Sequence, residues 1–328
     1  MILMPPPKVL YQQELLYNRL VKRQKHLGKW ARRIDTDCYR LYDRDIPEIP
    51  LLIDIYGDAV SGALYKRPYE KDEGEEALWL DAMKDAVSGA LGINKERIFL
   101  KTRQRQRGKA QYSKLDQGHF WKDVHEGPLV FRVNLSDYLD TGLFLDARKK
   151  RALVFEAAKG KRVLNLFSYT STLSVSAAAG GALLVDSVDM SKTYLDWSAV
   201  NFSLNGLAHY ISSSAKDNKP YRLIRADALV FLEQAKARWD LIILDPPSFS
   251  NSKKMETHLD IREGYRDLVK KCMALLNPGG RLLFSVNAKN FQFDAELFPG
   301  LKIAEIDLAD EDFRNRKTPV CWDISRLS

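Results

Sequence analysis

The sequence predicts an α/β fold, with a doubly wound, mostly parallel sheet preceded by a small α+β domain and a basic N-terminal helix. Three observations carry that prediction. From Lys149 onward, apolar strand-like runs alternate with helix-like segments. Within this region Val163–Phe167 leads through a small polar turn into Leu173–Ala179. A second run, Leu183–Val188, then ends at Asp189, the strand–turn–helix–strand–acid order that opens such a sheet. Finally, four consecutive strand-like runs carry an acid or amide at or near their C-terminal ends: Asn165, Asp189, Asp227 and Asp245. The expected division is residues 1–36 as a basic helical arm, 37–135 as the small domain and 136–328 as the large one.

Taken in order, residues 11–33 read as an amphipathic helix, with Leu15, Leu16, Leu20 and Val21 near helical spacing. It is either an arm that grips a polyanion or a helix packed on the next domain. Cys38–Tyr42 and Leu51–Tyr56 are strand-like, Glu75–Leu91 is a helix stopped by Gly92, and Arg97–Lys101 and Val130–Leu135 are strands. Arg103–Lys109 reads as a loop. In the large domain Arg151–Ala158 is a helix, Val163–Phe167 the first strand and Leu183–Val188 the second. Lys192–Asn205 is a helix closed by Gly206. Tyr221–Ile224 is the third strand, and Asp227 caps a helix reaching Ala237. Leu241–Leu244 is the fourth strand. Ile261–Leu276 is a helix stopped by Asn277-Pro-Gly-Gly280, and Arg281–Val286 is the fifth strand. Leu301–Leu308 and Val320–Ile324 complete seven.

The chain has 328 residues, and its apolar fraction of 45% supports a substantial core. The uncharged stretch Val163–Val185 is long enough for a membrane span, but Asn165, four Ser, two Thr and Gly180-Gly181 interrupt it, so no membrane partner is expected. The start of the chain has no signal-peptide pattern. Cys38, Cys272 and Cys321 are far apart and the five His form no paired spacing. A reduced cytoplasm and no metal follow. Net charge is +8, and it is concentrated. Residues 1–35 and 101–114 each carry a net of +6. Charge runs are often solvated faces. Two runs interleaved with Tyr17, Trp30, Gln104, Gln106 and Tyr112 point instead to nucleic acid, RNA in particular.

The turn after the first strand, Phe167-Ser-Tyr-Thr-Ser-Thr172, has no glycine. A dinucleotide site wants G-x-G-x-x-G for close approach of the pyrophosphate, which argues against NAD or ATP. S-adenosyl-L-methionine has no phosphate, and Asn165, Ser168 and Thr170 could meet its amino acid end. Asp189 would accept from the ribose hydroxyls and Asp227 from the adenine amino group. Asp227 serves equally well as a helix cap. Asp245-Pro246-Pro247 fixes the backbone rigidly after the fourth strand. This aims the Pro246 carbonyl into the site and puts Asp245 near the methyl group and its target. Ser248-Phe249 follows, with an aromatic on which a flipped base could stack.

Asn165-Leu-Phe-Ser-Tyr-Thr170, Val188-Asp-Met-Ser191, Asn205-Gly-Leu207, Asp245-Pro-Pro-Ser-Phe-Ser-Asn-Ser-Lys253 and Asp137-Tyr-Leu-Asp-Thr-Gly-Leu-Phe-Leu-Asp146 resemble the bacterial 23S ribosomal RNA guanine-N7 methyltransferase. In many bacteria that enzyme is the C-terminal half of a fused two-activity protein. His26–Arg33, Cys38–Asp43 and Leu100–Arg105 extend the resemblance over nearly the whole chain. It implies a class I methyltransferase fold with a Rossmann-like, seven-stranded, mostly parallel sheet. It also implies a cofactor set completed by Thr141, Phe144, Arg148, Phe167, Tyr169, Met190, Ser191 and Ala228. Pro247, Ser248, Phe249, Lys101, Arg103, Arg105, Arg107 and Lys109 would face 23S ribosomal RNA. The chain departs from the family at Ser171, where the family has glycine. It also lacks the guanine-N2 methyltransferase half and its RNA-binding extension, so a separate partner could supply that half.

Cytosine-C5 methylation needs a cysteine thiolate after the fourth or fifth strand, and the residues there are Asp245-Pro-Pro-Ser248 and Phe284-Ser-Val-Asn287. None of the three cysteines is expected near those strand tips. Two other readings stand beside guanine N7: methylation of an exocyclic base nitrogen, and a non-catalytic RNA-binding or ribosome-assembly factor with a vestigial pocket.

Overall fold

The computed structural model describes residues 5–65, 72–103, 118–212, 218–247, 249–250, 259–288, 291–313 and 319–327. The chain forms two compact units whose sequences interleave. The first comprises Met1–Pro128, Val133–Thr141 and Glu311–Arg314, and the second comprises Leu129–Arg132, Gly142–Asp310 and Asn315–Ser328.

In the first unit, α1 (Pro7–Arg33) is followed by β1 (Cys38–Asp43), β2 (Leu51–Tyr56), β3 (Ala59–Tyr65), α2 (Glu73–Leu91), β4 (Ile98–Arg103) and β5 (Trp121–Glu126). The unit boundary falls inside β6 (Leu129–Asn134). The sheet order is β1-β2-β3-β4, antiparallel except for the last pair. Asp72 accepts from the Gly74 and Glu75 N–H groups at the start of α2, and Gly92, left-handed at φ 67°, ends it. The inner face of α1 puts Leu16, Leu20, Leu27 and Trp30 into one core with Trp79, Met83 and Val87 of α2 and Leu41, Ile53 and Val60 of the sheet. Trp79 Nε1 donates to Gln12 Oε1 at 2.7 Å, a buried bond that joins the two helices. The helix α1 thus packs within the first unit, on α2 and the sheet.

The second unit holds α3 (Arg148–Ala157), β7 (Arg162–Leu166), α4 (Thr172–Ala179), β8 (Leu184–Asp189), α5 (Lys192–Leu204), β9 (Ile211–Ser212), β10 (Tyr221–Arg225) and α6 (Ala228–Gln234). It continues with β11 (Trp239–Leu244), β12 (Phe249–Ser250), β13 (Leu259–Asp260), α7 (Ile261–Ala274), β14 (Leu276–Val286), β15 (Leu301–Ile306) and β16 (Val320–Arg326). The main sheet runs β15-β16-β14-β11-β7-β8-β10-β9 and is parallel except at β16, which is antiparallel to both neighbours. This is the class I methyltransferase order. The expected seven strands are corrected to eight: two-residue β9 extends the edge beside β10, too short to leave a pattern. Among the described residues no helix is long and apolar enough to cross a membrane.

The strands β7 and β11 are buried on both faces, with Leu164, Leu166, Ile242 and Leu244 in the core with Tyr265, Leu268 and Phe284. The acid inside β8 is satisfied. Asp186 is fully buried, accepts from Arg222 Nε and Nη2, and accepts from Trp239 Nε1 at 2.9 Å. The helix α7 ends at Ala274, just before the expected stop at Asn277–Gly280, and that segment forms an irregularity within β14. Leu276 already pairs with Trp239, and the register shifts before Arg281 pairs with Leu241.

Candidate active site

Strands β10, β8, β7 and β11 stand side by side, which brings the four predicted polar positions to one edge of the sheet. Asn165 lies in β7, Asp189 ends β8, Asp227 follows β10 by two residues and Asp245 directly follows β11. The crevice beyond such strand ends is where ligands of this architecture bind.

The turn after β7 achieves without glycine what glycine usually supplies. Phe167, Tyr169 and Ser171 are left-handed at φ 56°, 52° and 57°. That conformation costs an ordinary residue about 1–2 kcal/mol and persists only where its surroundings over-determine it. Here they do. Ser168 N–H donates to Val188 O at 3.0 Å, Ser171 N–H to Ser168 O at 2.7 Å, and Tyr169 N–H to Asp189 Oδ2 at 2.9 Å. Thr170 Oγ1 donates to Gly142 O at 2.6 Å, and Asn201 Nδ2 to Thr170 O at 2.8 Å. Gly142 must be glycine, because a Cβ there would lie 2.1 Å from the Trp197 ring.

Ser171 therefore carries a conformational cost, and its buried Oγ has no hydrogen-bond partner among the described residues. Ser171→Gly should stabilise the protein by about 1 kcal/mol, raising the melting temperature by about 2 °C. A lower melting temperature would refute this reading of the turn.

Three buried oxygens here lack partners among the described residues: Asn165 Oδ1, Ser168 Oγ and Ser171 Oγ. Asn165 Nδ2 is already committed to Ser174 Oγ at 2.8 Å. Unpartnered acceptors beside a strand tip suit a ligand end that donates, and an ammonium group is such an end. Asp189 accepts from Tyr169 N–H at 2.9 Å and Ser191 N–H at 2.8 Å. Burial pushes its carboxyl above the usual range, while the Ser191, Tyr169 and Met190 N–H groups pull it back. A carboxylate has about four lone-pair sites, so both oxygens can still accept from hydroxyls. Asp227 Oδ1 caps α6 by accepting from Leu229 N–H at 2.8 Å, and its other oxygen makes no hydrogen bond among the described residues. These residues fit an adenosine-bearing, phosphate-free cofactor.

Asp245 is held differently. Its Oδ2 lies 2.6 Å from Lys150 Nζ, and its Oδ1 accepts from Ser285 Oγ. Lys150 Nζ also donates to Ser285 Oγ at 2.8 Å. Lys150 is 1% exposed. Lys150 and Ser285 were not foreseen as site residues. One signal was available: Arg148-Lys-Lys-Arg151 puts four cations in the first turn of α3, where the helix dipole disfavours them. Three of them are buried, each on its own partner. Arg148 meets Asp310 at 2.9 Å, and Arg151 donates to Phe144 O at 2.9 Å.

Of the other predicted positions, the Phe144 ring lies 5.3 Å from Tyr169, which packs in turn on Tyr194. Met190 O accepts from Arg225 Nε, Ser191 Oγ caps α5, and Ala228 is buried at the start of α6. Pro246 is buried, Pro247 is half-buried, and Phe249 pairs through its backbone with Asp260. Thr141 and Lys101 belong to the first unit. There Thr141 Oγ1 bonds Tyr56 Oη at 2.9 Å, and Lys101 Nζ donates to Tyr138 O. Arg103 ends β4 opposite Tyr65. Ser248, Arg105, Arg107 and Lys109 lie outside the described residues. Among the described residues no group of three His, Cys, Asp or Glu side chains is placed to hold a metal ion.

One expectation needs correction. Cys321 of β16 lies in register with Ser285, close to the end of β14, because the last strand folds back antiparallel. It is fully buried, and burial pushes its thiol up to about 12. Burial pushes the Cys272 thiol far up as well. Neither is a thiolate near neutral pH.

The family model for S-adenosylmethionine-dependent methyltransferases matches residues 46–302. The chain belongs to that family. This S-adenosylmethionine-dependent methyltransferase is 44% identical over 312 residues to "Ribosomal RNA large subunit methyltransferase K/L" of Syntrophotalea carbinolica, covering 94% of this chain and 42% of that protein. It is 42% identical over 323 residues to the protein of that name in Pseudomonas aeruginosa, covering 98% and 43%. The methyltransferase thus spans less than half the length of these relatives. Its fold matches that of SMU.776, solved with SAH, at a TM-score of 0.74 and 24% identity over 96% of this chain and 82% of that one.

Proposed function

We propose that this methyltransferase acts on 23S ribosomal RNA in the cytoplasm and transfers the methyl group to N7 of a guanine. The observation that carries the choice of atom is the engagement of both Asp245 oxygens, one by Lys150 and one by Ser285. Among the described residues that directly follow β11, Asp245 is the one titratable group, and Lys150 holds it as an ion pair. Guanine N7 has an exposed lone pair and no proton to lose, so it needs only placement in line with the methyl–sulfur bond. When bound, S-adenosylmethionine supplies a methyl group made electrophilic by its sulfonium. Asn165, Ser168 and Ser171 would hold the amino acid end, Asp189 the ribose and Asp227 the adenine. The ring acquires positive charge as N7 is methylated. The carboxylate of Asp245 would stabilise it, with Lys150 and Ser285 fixing where that charge sits. The ribosomal RNA assignment is supported by the names of the relatives and by the concentrated basic charge of this chain.

Two measurements test this reading. Incubation with 23S RNA and cofactor, followed by mass mapping of the nucleosides, should yield N7-methylguanosine. The single-turnover rate should be nearly flat with pH across neutrality, since no proton is removed. Methyl on an exocyclic nitrogen, with a rate that climbs as a base deprotonates, would overturn the N7 assignment. Failure to bind cofactor would favour the non-catalytic alternative.

A further inference from the structure

The cations of α1 fall into two sets that the sequence does not separate. Arg19 and Arg23 point toward the protein. Arg19 meets Asp45 Oδ2 at 2.5 Å, and Arg23 donates to Leu41 O at 3.1 Å and lies 3.9 Å from the same carboxylate. The Asp45 side chain is fully buried. Arg33 pairs with Glu311 at 2.7 Å. Lys22, Lys25, Lys29 and Arg32 are different. All four are exposed, and none makes an ion pair or side-chain hydrogen bond among the described residues. Their spacing of three, four and three residues puts them on one side of the helix at 3.6 residues per turn, opposite Leu16, Leu20 and Leu27. The segment from Asn18 to Arg33 contains no acid.

We infer that Lys22, Lys25, Lys29 and Arg32 form a rail for the phosphate backbone of the RNA substrate, an assignment that rests on the ribosomal RNA reading above. Four cations at steps of about 5–6 Å along a rigid helix present a row of point charges over about 15 Å. Backbone neutralisation of this kind releases counterions and carries no sequence preference. The helix can bear the charge because its inner face is fixed in the core by Leu16, Leu20, Leu27 and Trp30. The rail therefore needs no folding on binding. Its lysines and arginine also lie in the C-terminal half of α1, where the helix dipole favours cations.

The two sets predict opposite phenotypes. Replacing Lys22, Lys25, Lys29 and Arg32 together by glutamine should leave the melting temperature unchanged. The plot of log K against log salt for single-stranded 23S RNA fragments should become shallower by about 2.8, or ~0.7 for each lost contact. Cofactor affinity, read by calorimetry, should not move. Arg19→Met should do the reverse, lowering the melting temperature while keeping the salt slope at the temperature where it is folded. A quadruple variant with the wild-type slope overturns the rail. So does a variant that keeps RNA affinity but loses binding to polyglutamate, which would make this face a seat for an acidic protein. If the wild-type protein binds no RNA, the ribosomal RNA reading fails. If it binds RNA and the variant binds equally well, only the rail fails.

Discussion

Lys150→Met should destabilise the protein by about 3 kcal/mol and slow methyl transfer by about a hundredfold. The stability cost follows from burial. Removing one partner of a buried ion pair leaves the other charge uncompensated, which typically costs about 3–5 kcal/mol. The Asp245 side chain is 32% exposed, so the lower end applies. The loss in rate follows from position. Without Lys150, the Asp245 carboxylate keeps only the Ser285 hydroxyl to hold it where the developing charge needs it, and one misplaced electrostatic contact costs about 10²–10³ in rate. Asp245→Asn should also slow transfer while leaving cofactor affinity largely intact. The double variant Lys150→Met/Asp245→Asn should be more stable than the two single losses added together, because it leaves no unpaired charge. Thermal denaturation and single-turnover rates on the three variants read both effects. Strict additivity, or a Lys150→Met protein with normal rate, would mean the pair has no part in the chemistry.

Asp189→Ala should weaken cofactor binding by about 2 kcal/mol, or about thirtyfold, as expected when buried hydroxyl donors lose their acceptor. The carboxylate also holds the turn, since it accepts the Tyr169 and Ser191 N–H groups. Asp189→Asn, which keeps one acceptor oxygen, should lose less. Proton linkage gives an independent readout. Burial raises the Asp189 carboxyl above its ordinary range, and accepting from two hydroxyls favours the ionised form. Cofactor affinity should therefore fall as pH drops through that raised value, with protons released on binding at pH between the bound and the free carboxyl's pKa. Calorimetry in acidic buffers checks this. An affinity indifferent to Asp189→Ala would remove β8 from the cofactor site.

The parts of the fold legible in the sequence were those with one dominant physical cause. Leu241–Leu244 is a continuous apolar run, and Val163–Leu166 is one but for Asn165, because β7 and β11 are covered on both faces. Gly92 and Asp227 marked helix ends through local backbone chemistry. β3 was missed because Ala59-Val-Ser-Gly-Ala-Leu-Tyr65 is made of small residues and has no alternation. β5 was missed because Trp121-Lys-Asp-Val-His-Glu126 is mostly polar. In the site, strand-tip acids could be read because each stands beside its own strand. The Lys150–Asp245–Ser285 group could not, since its members are 95 and 135 residues apart from Lys150 and meet only through the sheet order. The same order carried Cys321 to the end of β14.

The four residues Glu311–Arg314 group with the first unit although they lie between β15 and β16. Asp312, fully buried, accepts from the Arg40 N–H at 3.0 Å, and the Arg40 guanidinium lies 4.6 Å over the Phe313 ring. β1 is thus completed by a segment the ribosome makes long after β1 itself. During synthesis these contacts to β1 cannot form until nearly all of the second unit has emerged, so the first unit is completed late although it begins the chain.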